Sequence, residues 1–214
     1  ITSVAMMSNL SQIAIGFGNG SVTIVRGDLV HDRGAKQRIV FESEEPITGL
    51  KMRNESSIMT LYISTTSRIL KLIITGRGQN QAARVVEDSG CAVGCMTLDK
   101  SNDDIIIVRD DAIYYYGVDG RGPCYAYDGP KNLVTTFNHY VALACPPAVS
   151  SKSMRDNSLQ SFGGAQANDI FNTSTFTLLD TSLKFIAHSE SLVSQVKWVI
   201  KIWGDLFTVT VDGK

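Results

Sequence analysis

The chain has 214 residues, with 20 basic and 21 acidic side chains, 43% hydrophobic residues and a formal net charge of -1. At about 100–200 residues per domain there is room for one large domain or two small ones, and the apolar fraction excludes wholesale disorder. The near-neutral charge argues against nucleic-acid binding, which needs a basic stripe or patch. No apolar run approaches the ~18 residues that cross a bilayer, and 4 cysteines are too few for a disulfide framework. These features predict a soluble, cytoplasmic domain without a membrane-spanning segment.

The elements predicted along the chain are short β-strands joined by turns. "SQIAIGF" is followed by "GNG" and "SVTIVRG", "IMTLYIST" by "TSR" and "ILKLIIT", and "DIIIVRD" runs into "AIYYYG". Apolar or alternating runs linked by a few polar residues or glycines are typical of β-hairpins. The stretch "SESLVSQVKWVIKIWGDL" is ambiguous by periodicity, but its valine, isoleucine and tryptophan content favours strand. The chain is therefore predicted to be all-β.

The strands recur at a regular interval. Runs that precede a hairpin begin near Val4, Ile47, Ala92, Leu133 and Val196. The intervals are about 41 to 45 residues, except the last, which is about 63 residues because it contains a polar stretch. A period of ~40–45 residues with four strands per unit is typical of β-propeller blades. We predict a degenerate, WD-like β-propeller with about four to five blades in residues 1–214, forming part of a larger, seven-bladed propeller.

The period also suggests where each unit begins. One predicted unit runs from "RIVFESEE" through "PITGLKMRN" and "SIMTLYIST" to "RILKLIITG", and the next runs from "ARVVEDS" to "AIYYYGVD". A small sheet of this kind is apolar on both faces and is stable only between neighbouring sheets.

A polar stretch interrupts the last complete unit. Residues 150–173 are rich in serine, asparagine, glutamine and glycine, with scattered apolar side chains. Such a composition cannot bury enough surface to offset the entropy of ordering. We predict a disordered insertion between two strands, either a phosphorylated or partner-binding loop or a tolerated surface insertion.

The motifs that resemble known functional sites are better explained as parts of the fold. "GFGNG" resembles a phosphate-binding loop, but a strand follows it where such a loop opens a helix, so a hairpin turn is predicted. Cys91 and Cys95 lie too far apart on a predicted strand for a disulfide, and no second ligand pair completes a zinc site. They are predicted to be buried small hydrophobic residues, and Trp198 and Trp203 are predicted to pack between blades. We predict no catalytic, cofactor-binding or metal-binding residue and no cofactor.

The predicted contact regions are loop tips. "RGDL" is read as a loop after a strand, so the tips Asp28–Gly34 and Gly76–Gln81 are candidates for contact with partners. The charges of Arg26, Asp28, Asp32 and Arg33 would contribute to the first of them.

Several of these segments resemble a known family. The run "IAIGFGNGSVTIVRGDLVHDRGAKQRIVFESEEPITGLKM", together with "DGRGPCYAYDG", "LKFIAHS" and "WGDLFTVTVDGK", resembles the amino-terminal propeller of the vacuolar protein sorting protein eleven family, also called the Pep-five family. That resemblance implies a class C subunit of the HOPS and CORVET membrane-tethering complexes, with a helical solenoid and a RING domain following the propeller. It implies a non-enzymatic scaffold that acts in endosome-to-vacuole or endosome-to-lysosome transport and in vesicle docking and fusion.

The resemblance also implies partners and a location. The partners would be other class C subunits, bound mostly through regions outside this sequence, with Rab GTPases or SNAREs as indirect partners. The protein would be cytoplasmic and peripheral on endosome and vacuole or lysosome membranes. Two alternatives stay open: a generic WD-like scaffold of another assembly, and a propeller hydrolase that uses a carboxylate such as Asp103, Asp104, Asp110 or Asp111.

Overall fold

A computed structural model describes residues 1–28, 31, 33–55, 58–75, 82–99, 101–118, 120–146, 174–192 and 194–213. All regular structure in these ranges is β-strand, arranged in two compact units, Ile1–Tyr127 and Asp128–Lys214. Nowhere in the described ranges is there a helix of the length and apolarity that spanning a bilayer requires. The predicted polar insertion, residues 150–173, lies outside the described residues.

The first unit contains three antiparallel sheets of four strands each, and within each sheet every strand pairs with the next along the chain. Sheet one is β1 (Ser3–Met6), β2 (Gln12–Gly16), β3 (Val22–Asp28) and β4 (Arg33–Phe41). Sheet two is β5 (Gly49–Glu55), β6 (Ile58–Ser64), β7 (Ile69–Ile74) and β8 (Arg84–Glu87). Sheet three is β9 (Met96–Leu98), β10 (Ile105–Val108), β11 (Ala112–Gly117) and β12 (Gly120–Ala126).

The second unit contains a fourth sheet of the same kind and a hairpin. Sheet four is β13 (Leu133–Phe137), β14 (Tyr140–Cys145), β15 (Ser174–Asp180) and β16 (Ile186–Leu192). The hairpin is β17 (Val196–Ile202) and β18 (Asp205–Thr210). Sequential four-stranded antiparallel sheets are the blades of a β-propeller, so the all-β, propeller prediction is confirmed.

The predicted unit boundaries are displaced by one strand. "RIVFESEE" was expected to open a unit, but its strand is β4, which pairs with β3 and closes sheet one. "ARVVEDS" likewise forms β8, the last strand of sheet two. The reason is local, because Arg33 pairs with Asp28 only five positions earlier, so β4 runs back along β3. The hairpin turn predicted at "GFGNG" is confirmed by the bond from the Phe17 N–H to the Ser21 carbonyl at 3.0 Å.

Sheets one and two share an apolar core. In β5 the side chains of Leu50 and Met52 point toward sheet one, and those of Lys51 and Arg53 point to the opposite face, because side chains alternate along a strand. The buried apolar residues of this core are Ala5, Ala14, Val22, Ile24, Val40, Ile47, Leu50, Met52, Leu61, Ile63, Leu70, Leu72 and Ile74. The sheets approach closely at Gly16, where an added Cβ would lie 2.6 Å from Ile47 Cγ2.

The segments between sheets are tied to hairpin turns. Glu45, between β4 and β5, accepts hydrogen bonds from the Ser67 hydroxyl at 2.5 Å and the Ser67 N–H at 3.1 Å in the β6–β7 turn. Gly90, between β8 and β9, lies against the same turn, where an added Cβ would be 2.0 Å from the Thr65 carbonyl oxygen. Each connection is therefore packed against the sheet that precedes or follows it.

Two expectations for single residues need correction. Cys91 and Cys95 do not lie on a strand; they flank a turn before β9, closed by the bond from the Cys95 N–H to the Ala92 carbonyl at 3.1 Å. Both side chains are buried, as predicted. Within this chain neither tryptophan is packed between two sheets, since Trp198 is 56% exposed and Trp203, at the tip of the β17–β18 hairpin, is 98% exposed. A turn of two residues leaves the tip side chain outside any sheet.

Candidate functional site

The loop expected to carry contacts is partly strand. Arg26 and Asp28 belong to β3, and Arg26 donates from Nε to Gln12 Oε1 on β2 at 2.9 Å, so it is held within the sheet. Asp28 Oδ2 lies 2.8 Å from His31 Nδ1 at the tip. Residues 29, 30 and 32 and the second predicted tip, 76–81, lie outside the described residues. The prediction that "RGDL" forms a loop is therefore wrong for its first three residues, which belong to β3.

Two of the carboxylates considered for a hydrolase, Asp103 and Asp111, lie in turns of sheet three. Asp111 accepts a hydrogen bond from the Tyr114 hydroxyl, which lowers the pKa of Asp111. Asp103 lies in the β9–β10 turn with a positive φ of 56°. Across the described residues, no group of three or more His, Cys, Asp or Glu side chains is placed to hold a metal ion.

A line of positive charge crosses sheet two on the face toward sheet three. The strand register places Lys51 opposite Tyr62, Tyr62 opposite Lys71, and Lys71 opposite Arg84. We call these four residues, three basic side chains and one tyrosine, the cationic row. An added Cβ on Gly49, which shares this face, would lie 2.9 Å from Met96 Cβ of β9, so the face is directed toward sheet three.

Tyr62 is the aromatic centre of this row. Lys71 Nζ lies 5.7 Å and Arg53 Cζ 5.9 Å from the centroid of its ring, within the range of cation–π attraction. Arg53 is only 3% exposed, and its Nη1 lies 3.5 Å from the Tyr62 hydroxyl oxygen. Burial lowers the pKa of Lys51, because desolvation disfavours its charged form. Arg53 and Lys71 therefore lie near the Tyr62 ring, and Lys51 lies opposite Tyr62 on the neighbouring strand.

Sheet three places tyrosines opposite this face of sheet two. The Tyr116 hydroxyl donates to Glu87 Oε2 of β8 at 3.2 Å, and desolvation raises the pKa of Tyr116 to about 12. Glu87 Oε2 also lies 3.6 Å from Arg121 Nη1 on β12. Arg121 Cζ in turn is 5.2 Å from the ring centroid of Tyr114. The contact between the two sheets is thus built from aromatic rings, cations and one carboxylate.

A cleft of about 390 Å³ opens between the two sheets at this place. One wall is formed by β6 to β8 and the other by the β11–β12 hairpin. Its described lining residues are Tyr62, Lys71, Ile73, Ala82, Arg84, Val85, Val86, Gly117, Val118 and Gly120. Its size is within the ~300–1,000 Å³ usual for ligand sites. Two cations, a phenol and aliphatic walls favour recognition of a group that carries both negative charge and apolar surface.

No motif in the sequence predicts this cleft, although the strand patterns contain a signal for it. Blade strands are expected to be apolar on both faces, yet "GLKMRN" alternates apolar and basic residues and "ILKLII" contains one lysine. A charge inside a strand that is buried on both sides needs a partner or a function. Only the register shows that these charges lie in one row.

The sheets and their order define a protein of the β-propeller class. A solved structure with the same fold is the crystal structure of BBS1N in complex with ARL6DN, with a TM-score of 0.62 and 9% identity, covering 98% of this chain and 61% of that one. The chain belongs to the PEP5/VPS11 N-terminal family, whose model matches residues 1–214.

Relatives in several organisms agree with this family. The chain is 30% identical over 216 residues to the human vacuolar protein sorting-associated protein 11 homolog and 29% identical over 218 residues to the mouse one. It is 28% identical over 236 residues to the homolog of Dictyostelium discoideum. Each alignment covers 100% of this chain, but the chain spans only 22 to 24% of the length of these relatives.

Proposed function

We propose that this chain is a non-enzymatic protein-interaction domain that acts in vacuolar protein sorting. The observation that carries the proposal is the family match over residues 1–214, together with relatives that are named for vacuolar protein sorting. Rigid sheets joined by surface connections suit a scaffold, because such loops can carry contacts without disturbing the core.

The sequence resemblance supports a finer assignment. The protein acts as a class C subunit of the HOPS and CORVET tethering complexes, in docking and fusion at endosome and vacuole or lysosome membranes. It attaches to these membranes peripherally through the complex, with other class C subunits as direct partners and Rab GTPases or SNAREs as indirect ones. The propeller of similar fold was crystallised in complex with ARL6DN, so this fold is able to hold a protein partner.

Copurification tests this proposal. The full-length protein is tagged in its own host, isolated under mild conditions and examined for bound proteins by mass spectrometry. We expect the class C subunits to be recovered. In a second experiment, cells whose gene lacks the codons for residues 1–214 of this chain should secrete a vacuolar hydrolase into the medium. Copurification with an unrelated assembly, together with normal sorting by the truncated protein, would support a generic propeller scaffold instead.

A further inference from the structure

We propose that turns at one end of the second unit form a docking surface for another protein, with the indole of Trp203 inserted in an apolar pocket of that partner. The surface consists of Leu183 and Phe185 in the β15–β16 turn and Trp203 at the tip of the β17–β18 hairpin, and we call it the turn surface. The inference rests on the proposed function as an interaction domain and adds the place and the chemistry of one contact.

Contacts within the second unit bring the two turns to the same end. Val196, which begins β17, donates its N–H to Ser174 Oγ at the start of β15 at 3.3 Å. Farther along the hairpin, Lys201 Nζ lies 5.3 Å from the ring centroid of Phe137, the last residue of β13. Strand β17 therefore runs in the same direction as β13 and β15, and the turns that follow these strands project from one end of their sheets.

The β15–β16 turn is fixed by hydrogen bonds while its apolar side chains stay exposed. Asp180 Oδ1 accepts a bond from the Leu183 N–H at 2.7 Å. The Thr181 hydroxyl donates to the His139 carbonyl of the β13–β14 turn at 2.7 Å, which ties the two turns together. Leu183 and Phe185 are nevertheless exposed. A preformed turn loses less conformational entropy on binding than a flexible one, so this turn suits an interface.

The position of Trp203 is explained by nothing that it contributes to the folded chain. Its indole is almost completely exposed, and its φ of 50° lies in the left-handed region that a bulky residue adopts only at a cost. A further sheet beside the hairpin would pack on a strand face, where Ile200 and Phe207 are paired, and not on the residue at the tip. A side chain kept in such a conformation is characteristic of binding sites.

The charges beside the turn surface favour a protein over a membrane. Lys201 lies two residues before Trp203 and Asp205 two residues after it, and Asp180 and Lys184 flank the other turn. These charges balance, whereas a surface that binds anionic lipids has an excess of lysine and arginine. Protein interfaces combine an apolar centre with a polar rim, and tryptophan is enriched among the residues that dominate their binding energy. The partner therefore carries an apolar pocket wide enough for an indole, with polar groups around it.

Hydroxyl-radical footprinting of the wild-type protein tests whether the turn surface is covered. The full-length protein is oxidised alone and in the assembly recovered by copurification, and the modification of each tryptophan is measured by mass spectrometry. We expect Trp203 to react readily in the protein alone and at least about tenfold more slowly in the assembly, since the centre of an interface is desolvated. Trp198, on a strand face, is the internal reference and should react equally in both samples. Slow oxidation of Trp203 in the protein alone, or equal oxidation in both samples, would overturn the inference.

Substitutions at position 203 test whether this contact contributes to binding. The probe is the set of remaining subunits, isolated from cells that lack this gene and bound to immobilised full-length protein. Trp203→Asn should weaken binding at least about 30-fold, as expected for a residue that dominates an interface, and Trp203→Phe, which keeps an aromatic ring, by less than about tenfold. The control Leu10→Asn changes an exposed apolar residue in the β1–β2 turn with a similar φ of 53°, and it should bind as the wild type does.

Thermal unfolding separates a binding role from a structural one. Trp203→Asn should melt at the wild-type temperature or above it, because asparagine adopts a positive φ more readily than tryptophan does. A lower melting temperature combined with unchanged binding would overturn the inference in favour of a structural role. Unchanged binding at the wild-type melting temperature would also overturn it.

Two other occupants of the turn surface give distinct results. Cosedimentation with phosphatidylcholine vesicles, with or without phosphatidylserine, that is abolished by Trp203→Asn would show a membrane contact. Protection of Trp203 that increases with the concentration of the protein alone would show a second copy of the chain. Either result overturns the inference. The proposed function is tested separately: recovery of class C subunits with undiminished binding by Trp203→Asn rejects only the turn surface, and Trp203-dependent binding to a different assembly rejects only the proposed function.

Discussion

Replacing Leu50 by alanine should separate the sheets of the first unit more than any surface change does. Leu50 is 0% exposed and projects from β5 into the core shared with sheet one. Its Cδ1 would lie 3.1 Å from a Cβ added to Gly16 on β2, so its methyl group packs on the glycine backbone. The substitution removes three carbons at about 0.8 kcal/mol each, and the cavity raises the expected cost to about 3–4 kcal/mol.

Hydrogen–deuterium exchange measures this cost where it arises. A loss of about 3 kcal/mol in the free energy of opening should accelerate exchange of protected β2, β5 and β6 amides by about 100-fold or more. Ile58→Ala is the matched control, because Ile58 begins β6 but is 51% exposed, and its cost should stay below about 1 kcal/mol. A change at Leu50 no larger than the change at Ile58 would show that sheets one and two do not share this core.

Three further changes test local features of the chain. The Ser67 and Thr65 hydroxyls lower the pKa of Glu45 to about 2, so its stabilisation should be complete above about pH 4.5 and be lost as the pH falls toward 2. Glu45→Gln should remove this pH dependence of the melting temperature. Gly90→Ala should cost about 1–3 kcal/mol in urea unfolding, because its Cβ would collide with the Thr65 carbonyl. Trp203→Asn should raise the free energy of unfolding by about 0.5–1 kcal/mol, because Trp203 has a φ of 50° that asparagine tolerates better.

Each of these predictions has a result that contradicts it. An unchanged acid transition in Glu45→Gln would mean that its hydrogen bonds with the β6–β7 turn do not contribute to stability. For Gly90, the control is Gly18→Ala, whose Cβ would have no described neighbour closer than 3.8 Å; equal effects at both glycines would exclude the collision. A large loss of stability in Trp203→Asn would restore the interpretation that this side chain packs between blades.

The repeat could be predicted because it depends on neighbours in the chain. The groups expected near Val4, Ile47, Leu133 and Val196 begin sheets one, two and four and the β17–β18 hairpin. A hairpin is specified by alternating residues and a short turn, both visible in sequence. The sequence did not show which strand closes one unit and which opens the next, since an edge strand such as β4 could equally have opened the next unit.

Individual side chains were harder to place from sequence. Trp198 and Trp203 are large and apolar, which favours burial, but a hairpin tip exposes whatever residue occupies it. Cys91 and Cys95 were expected on a strand, and their burial followed from apolar character even though the backbone there forms a turn. Composition therefore predicted the burial of these thiols, while local backbone geometry decided their arrangement.

The sequence by itself determined that this is an all-β chain of repeated hairpins, because strand periodicity and turn residues act over a few positions. Only the tertiary structure decided that Leu50 and Met52 meet sheet one while Lys51 and Arg53 meet sheet three. Alternation shows that a strand has two faces but does not say what each face packs against. The cationic row and its cleft depend on the register of four strands and on a neighbouring sheet, and these are set by contacts between residues far apart in the chain.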